Sequence, residues 1–400
     1  MSLVRSYDAI VIGGGIIGGA IAVRLAQEKL RVAIFDRQEP GREASWAAAG
    51  MLSPAPDSPS AIPLVPFGRA SLSLYPSFIA EVEELSGRSA GLRQDGAIEL
   101  LFSADAEREL STFVALHHAL GLPTEPLPLD EARKLEPALG REARAAALLP
   151  YEGSVNARAL IDAVLAAGAA LGIELHASAR VTRVLTEGGR CTGVATENER
   201  FTAGNVVLAA GAFSQKIGGL EPPVAAHPIR GQMVALRNTA TRLFHVLRSE
   251  RGYIVPRDES TPQYLVTGST LEDAGFEKRV TPSGLEQILS AAQELAPDLA
   301  GAEIVETWCG LRPDTPDHLP LLGPGELSGL TIATGHYRNG ILLAPITAKL
   351  IREWIVEQRT SMDWEIFDPL RFARLHPAEG PRAGGSARKQ GRHEHKGAGV

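Results

Sequence analysis

Gly13-Gly14-Gly15-Ile16-Ile17-Gly18 sets three glycines at the spacing G-x-G-x-x-G, and Asp36 follows about 20 residues later. That combination suits one task, cradling a pyrophosphate. Gly13 permits a tight turn, Gly15 lets backbone approach the phosphates, and Gly18 allows the following helix to pack closely on a sheet. A helix opening here, with Ile16 and Ile17 in its first turn, aims unpaired N–H groups at the phosphates. A carboxylate at Asp36 can accept hydrogen bonds from ribose hydroxyls. Taken alone, the motif does not choose between a nicotinamide and a flavin dinucleotide. Arg37, beside Asp36, can meet a 2′-phosphate and raises the phosphorylated nicotinamide reading.

These residues can act only if a strand, a turn and a helix hold them, and the flanking pattern supplies all three. Residues 9–12 are continuously apolar, as in a buried parallel strand. A helical pattern covers 16–28, and a second apolar run, 32–35, ends in Asp36, which makes a β-α-β unit. The proline- and serine-rich stretch 53–66 predicts an ordered but irregular loop. Residues 91–150 predict a strand, a helix near 105–120 and irregular segments. A helix follows over 156–171, then short strands near 173–177, 181–185 and 206–209. Strand-like runs at 233–236, 252–256 and 264–268 precede a helix near 282–296, and 330–355 reads as a last β-α pair. There is no internal repeat. This alternation predicts two interleaved domains, with the chain crossing between them several times.

Composition narrows the class. The chain has 400 residues, 44% apolar and 22% charged, which is ordinary globular composition with room for two domains. A formal charge of -7 argues against non-specific nucleic-acid binding. Cys191 and Cys309 are the only two cysteines, which is no disulfide framework and fits a reducing, cytoplasmic setting. No signal-peptide pattern and no apolar run of roughly 18 residues is present, so no membrane span is expected. Residues 378–400 are rich in Gly, Arg, Lys and His and are expected to be a disordered, dispensable tail.

Three further segments move the reading to a flavin. Ser45-Trp46-Ala47-Ala48-Ala49-Gly50-Met51-Leu52 offers small residues beside which a ring system can lie flat. Val206-Val207-Leu208-Ala209-Ala210-Gly211 is an apolar strand ending in small residues. Thr334-Gly335-His336-Tyr337-Arg338-Asn339-Gly340-Ile341-Leu342 opens the last long helix, whose positive dipole end can stabilise the negative edge of a reduced flavin. In this order, and with Gly252-Tyr253-Ile254-Val255-Pro256-Arg257 and Trp308-Cys309-Gly310-Leu311-Arg312-Pro313, the segments resemble the FAD-dependent D-amino-acid oxidase superfamily and its glycine oxidase branch of the thiamine-biosynthesis type. The resemblance runs over about residues 6–370. Asp36 departs from it mildly, since Glu is commoner there.

The resemblance implies a glutathione-reductase-type, Rossmann-like α/β FAD domain (1–90, 155–225 and 312–375). Interleaved with it is an α+β substrate domain built on an antiparallel sheet (91–154 and 226–311). It implies non-covalent FAD held by Gly13, Gly15, Ile16, Ile17, Gly18, Asp36, Arg37, Ser45, Ala48, Ala49, Gly50, Met51, Val181, Ala210, Gly211, Arg338, Asn339, Gly340, Ile341 and Leu342. It places the substrate carboxylate on Arg312, whose planar fork pairs bidentately, with the Tyr253 hydroxyl beside it and Arg338 at the rim. Leu271 would contribute an apolar wall. Arg251 stands where the branch can carry histidine. Cys309 reads as a buried small thiol rather than a flavin attachment point. The implied reaction is hydride transfer from the α-carbon of glycine or another small amino acid or amine. The imine hydrolyses to a 2-oxo acid and ammonia, and dioxygen reoxidises the flavin to give hydrogen peroxide. No metal is called for, and a homo-oligomer is expected. A D-amino-acid dehydrogenase, a sarcosine oxidase and a non-catalytic flavin-binding protein are the alternatives.

Overall fold

The apolar run 9–12 becomes the buried half of the strand Ser6–Ile12, at the centre of an eight-stranded sheet. A computed structural model describes residues 5–375 other than Thr241 and Glu259, so the expectation for 378–400 lies outside the described residues. Ser6–Ile12 pairs in parallel with Val32–Phe35 on one side and Arg200–Leu208 on the other. Glu174–His176 and Leu330–Thr334 extend this parallel set, and Leu321–Pro324 closes one end antiparallel. Val181–Glu187 and Arg190–Thr196 form an antiparallel spur on Arg200–Leu208.

The second sheet also has eight strands. Its order is Glu303–Asp314, His227–Asn238, Gln263–Gly268, Gly252–Pro256, Val246–Ser249, Ala97–Leu101, Ala145–Leu149 and Glu125–Pro126. It is antiparallel except where Val246–Ser249 runs parallel to Ala97–Leu101. The sequence reading ends this part of the chain at 311. The ladder instead continues through Arg312 and Pro313 to Asp314, which pairs with His227. Arg312 is therefore carried by the second sheet.

The helix Ile16–Gln27 is buried on nearly every face. It is covered by Ala157–Ala170, capped by the Asn156 side chain, and by Gly340–Glu357. One long helix is absent from the sequence reading. The stretch expected to be irregular contains a short 3-10 turn, Pro59–Leu64, and then the start of Val65–Ser86. Pro59 and Pro66 lie in first-turn positions, where a missing N–H leaves no intrahelical bond unmade. Phe67, Ser71, Tyr75, Phe78, Ile79 and Val82 are buried at helical spacing and pack this element onto the core of the first sheet.

Val65–Ser86 also repairs its neighbour. Pro345 lies inside Gly340–Glu357 and has no N–H to return to the Ile341 carbonyl. The Tyr75 hydroxyl donates to that carbonyl instead. Ser71 Oγ donates to the Leu342 carbonyl at 2.5 Å and accepts from Ile346 N–H at 3.3 Å, bridging the opened turn. The start of the last helix is thereby held in place without a continuous backbone ladder.

Candidate active site

The turn between the first strand and first helix is closed by geometry that few residues tolerate. Gly13 has φ +107°, and a β-carbon there would lie 2.8 Å from the Ala209 carbonyl carbon. A β-carbon on Gly18 would overlap the Gly13 carbonyl oxygen. Asp36 lies just past Val32–Phe35, and its two oxygens accept from Gly14 N–H at 2.8 Å and Gln38 N–H at 3.0 Å. Burial pushes this carboxyl up, and those two N–H groups pull it back.

A cavity of about 630 Å³ spans from this turn to Arg312 and Tyr253. Of the residues expected to hold FAD, Gly13, Gly15, Ile16, Ile17, Asp36, Arg37, Ser45, Ala48, Ala49, Gly50, Met51, Val181, Ala210, Gly211, Arg338, Asn339, Gly340 and Ile341 all line it. Two do not. Gly18 works from behind, as a close-packing position in the helix. Leu342 turns its side chain to the core against Val65–Ser86, which leaves only its backbone N–H, in the first turn of the helix, to meet a cofactor. Ser45 is present but already engaged, since its hydroxyl accepts from Ile16 N–H at 2.9 Å. Arg37 lies over the Phe213 ring at 3.7 Å and pairs with Glu43.

The cavity's far end gathers the residues expected to meet substrate. Tyr253 and Met233 both line it, with the Tyr253 hydroxyl 3.4 Å from the Met233 sulfur. Arg312 Nη2 donates to Ser269 Oγ at 2.6 Å and Nη1 to the Thr270 carbonyl at 3.2 Å. Burial pushes the Arg312 guanidinium below the usual arginine value, and the neighbouring Tyr253 pulls the other way. Arg338 is half exposed, with Nη1 2.6 Å from Asp57 Oδ2. Leu271 is 61% exposed and lies outside the lining, which corrects its role as an apolar wall. Arg251 points to Glu294, 2.9 Å away. Cys309 is half-buried on its strand, outside the lining, and burial pushes its thiol up.

Several contributors were not legible in sequence. Gly231 makes room for the Arg312 guanidinium, because a β-carbon there would lie 2.5 Å from Arg312 Cζ. Arg248 and Ser53 also line the far end. Arg257 does not line the cavity but shapes it. Its guanidinium donates to the Ala49 carbonyl at 2.5 Å and the Val155 carbonyl at 2.7 Å, lacing the Ala49–Gly50 turn to the body of the protein. Burial lowers its pKa to about 10, so it remains charged at neutral pH. Arg257→Leu is expected to weaken FAD binding at least about tenfold, since two charge-assisted bonds to carbonyls are lost. Titration of the apoprotein with FAD checks this, and an unchanged dissociation constant would remove Arg257 from the account.

An FAD suits these surroundings. The glycine turn presents bare backbone to the cavity, the Asp36 carboxylate lines it just past the second strand, and a wall of small residues runs from Ala48 to Gly50. The family described as FAD dependent oxidoreductase matches residues 8–354. The chain belongs to that family. This oxidoreductase is 35% identical over 375 residues to a glycine oxidase of Geobacillus kaustophilus, covering 92% of this chain and 98% of that one. It is 36% identical over 370 residues to a bifunctional protein ThiO/ThiG of Trichormus variabilis, covering 91% of this chain and 55% of that one. The crystal structure of glycine oxidase from Geobacillus kaustophilus superposes with TM-score 0.86 at 34% identity, over 92% of this chain and 99% of that one. The oxidoreductase is thus an FAD-dependent enzyme with the Rossmann-like fold read from its N-terminus.

Proposed function

We propose that this oxidoreductase oxidises glycine or another small amino acid at its α-carbon. One observation carries the reading. Arg312 lines the cavity, yet among the described residues its partners are all neutral: Ser269, Thr270 and Tyr253. Its neighbours in the lining are matched, Arg338 by Asp57 and Arg248 by Glu99 and Glu152. A largely buried guanidinium that opens on a cavity with no counter-charge beside it suits a carboxylate, and its fork can donate to two oxygens at once.

Gly13, Gly15, Ile16 and Ile17 would hold the FAD pyrophosphate, Asp36 the ribose, and Ala48 to Met51 with Gly340 and Ile341 the isoalloxazine. Bound there, FAD would supply the two-electron acceptor for the α-hydride and a route for those electrons to dioxygen. The protein's own share is orientation. Arg312 and Tyr253 fix the carboxylate, which aims the α-hydrogen, and apolar neighbours such as Met51 and Met233 keep water from the reacting carbon. The cavity carboxylates Asp36, Glu43 and Asp57 are all engaged, Asp36 by backbone N–H groups, Glu43 by Arg37 and Lys278, and Asp57 by Arg338. The substrate amine therefore enters neutral, and no side chain serves as a base. The imine leaves and hydrolyses to a 2-oxo acid and ammonia. The likeness to ThiO/ThiG proteins supports supply of that imine to thiazole formation in thiamine biosynthesis. A homo-oligomer in the cytoplasm, with dioxygen as oxidant, completes the reading.

The protein is expected to purify yellow and to release intact FAD on denaturation. Anaerobic glycine, sarcosine or D-alanine should then bleach the bound flavin, and air should restore the colour with formation of peroxide. A flavin that none of the three amines reduces would sink the substrate assignment.

A further inference from the structure

Arg248 is the buried cation that the reading above leaves without a task. It lies on Val246–Ser249, directly opposite Tyr253 of Gly252–Pro256. Residues paired in this way share one face of a sheet, with β-carbons about 4.5–5.5 Å apart, and both line the cavity. Three acceptors lock the guanidinium. Nε donates to Glu99 Oε2 at 2.5 Å, and Nη1 donates to Ser53 Oγ at 3.0 Å and Glu152 Oε2 at 2.9 Å. Ser53 in turn donates to Glu152 Oε1 at 2.6 Å. Glu99 lies on the next strand in register with Arg248, so the fork cannot swing without breaking a ladder-matched pair. Nη2 finds no acceptor among the described residues, and it is not sealed in the protein. Its open side is the cavity that Arg248 and Ser53 line.

Charge decides what such a donor can take. Glu99 alone matches the Arg248 charge, and Glu152 adds a second carboxyl that burial pushes up. A second carboxylate on the substrate would meet a cation already satisfied. A hydroxyl or carbonyl oxygen gains a hydrogen bond and brings no charge to repel. An apolar group leaves Nη2 both desolvated and unbonded, which is the costly case.

We propose that Arg248 and Ser53 form a second polar subsite, which takes a neutral hydroxyl or carbonyl oxygen carried on a short substituent of the amino-acid substrate. The substituent sits on the α-carbon or on the amine. This rests on the assignment of the α-carboxylate to Arg312.

Matched substrates test it with the holoenzyme. D-Serine is compared with D-2-aminobutyrate, and N-(2-hydroxyethyl)glycine with N-propylglycine, with glycine as the internal reference and iminodiacetate as the doubly anionic probe. The expected result is a preference of about tenfold or more in kcat/KM for the hydroxyl member of at least one pair. The pair that shows it identifies the atom bearing the substituent. Arg248→Lys keeps a charge beside Glu99 but cannot present Nη2, and the triple variant Arg248→Met, Glu99→Gln, Glu152→Gln removes the subsite with no carboxylate stranded. Both should bring the ratio to about parity, with flavin content and melting temperature reporting on folding. Wild type turning over glycine with no preference in either pair would overturn the proposal. So would a preference that survives in both variants, or iminodiacetate outcompeting the hydroxyl substrates. Failure of glycine and every other amine to bleach the flavin would instead overturn the carboxylate assignment beneath it, and the subsite with it.

Discussion

Replacing Arg312 with alanine is expected to lower kcat/KM for glycine by roughly 30-fold to several thousand-fold, which is about 2–5 kcal/mol at 1.4 kcal/mol per tenfold. The cause is specific. At the substrate end of the cavity the guanidinium has only neutral partners among the described residues, and its loss would leave the substrate carboxylate unpaired in a largely dry site. Arg312→Lys should recover only part of the rate, because an ammonium cannot reproduce the fork held between Ser269 and Thr270. FAD content should stay near wild type in both variants. Steady-state peroxide formation and released flavin measure the two quantities separately. Wild-type kcat/KM in Arg312→Ala would move the clamp to Arg338, which would first have to leave Asp57. Loss of FAD would make Arg312 a cofactor or folding residue.

A methyl group placed beside that arginine should do nearly the same damage. Gly231 is on His227–Asn238, two residues along from Ile229, the partner of Arg312 in the ladder. The Arg312 fork lies across its α-carbon, so a β-carbon there would lie 2.5 Å from Cζ. What must give is the end of a flexible side chain and not backbone. Gly231→Ala should therefore melt within a few degrees of wild type and keep its FAD, yet lose at least about 30-fold in kcat/KM as the fork is pushed off its site. The double variant Gly231→Ala, Arg312→Ala should be little worse than Arg312→Ala alone, because both changes remove one interaction. Additive losses would show that Gly231 acts on something else. Wild-type activity in Gly231→Ala would show that the fork has another productive position.

What could be read from the chain alone was local or of one period. The β-α-β unit declares itself through an apolar run, glycines at fixed spacing and an acidic residue at the end of the next run, because a tight turn, close backbone approach and close helix packing each exclude side chains at set positions. The residues lining the cofactor part of the cavity followed from three such segments and the resemblance they carry. The helix Val65–Ser86 carries its own signal, apolar residues at 67, 75, 78, 79 and 82, but prolines at 59, 63, 66 and 76 read as punctuation. Two of those prolines merely occupy first turns, and the contacts Tyr75 and Ser71 make with the last helix span more than 260 positions. Leu342 shows the same limit from the other side. Its place in a flavin-facing motif is local, while the face it turns to the core is set by the opening at Pro345 and the helix packed there. At the substrate end almost nothing was local. That Gly231 lies beneath Arg312, that Arg248 shares a face with Tyr253, and that Arg257 grips the Ala49 carbonyl all depend on strand register and on two sheets meeting over one cavity. Residue types and spacing determined that the protein binds a dinucleotide and carries an arginine fit for a carboxylate. That Arg312 meets only neutral partners while Arg338 and Arg248 meet carboxylates was decided only by tertiary pairing, because a charge is matched or not by what the fold brings beside it.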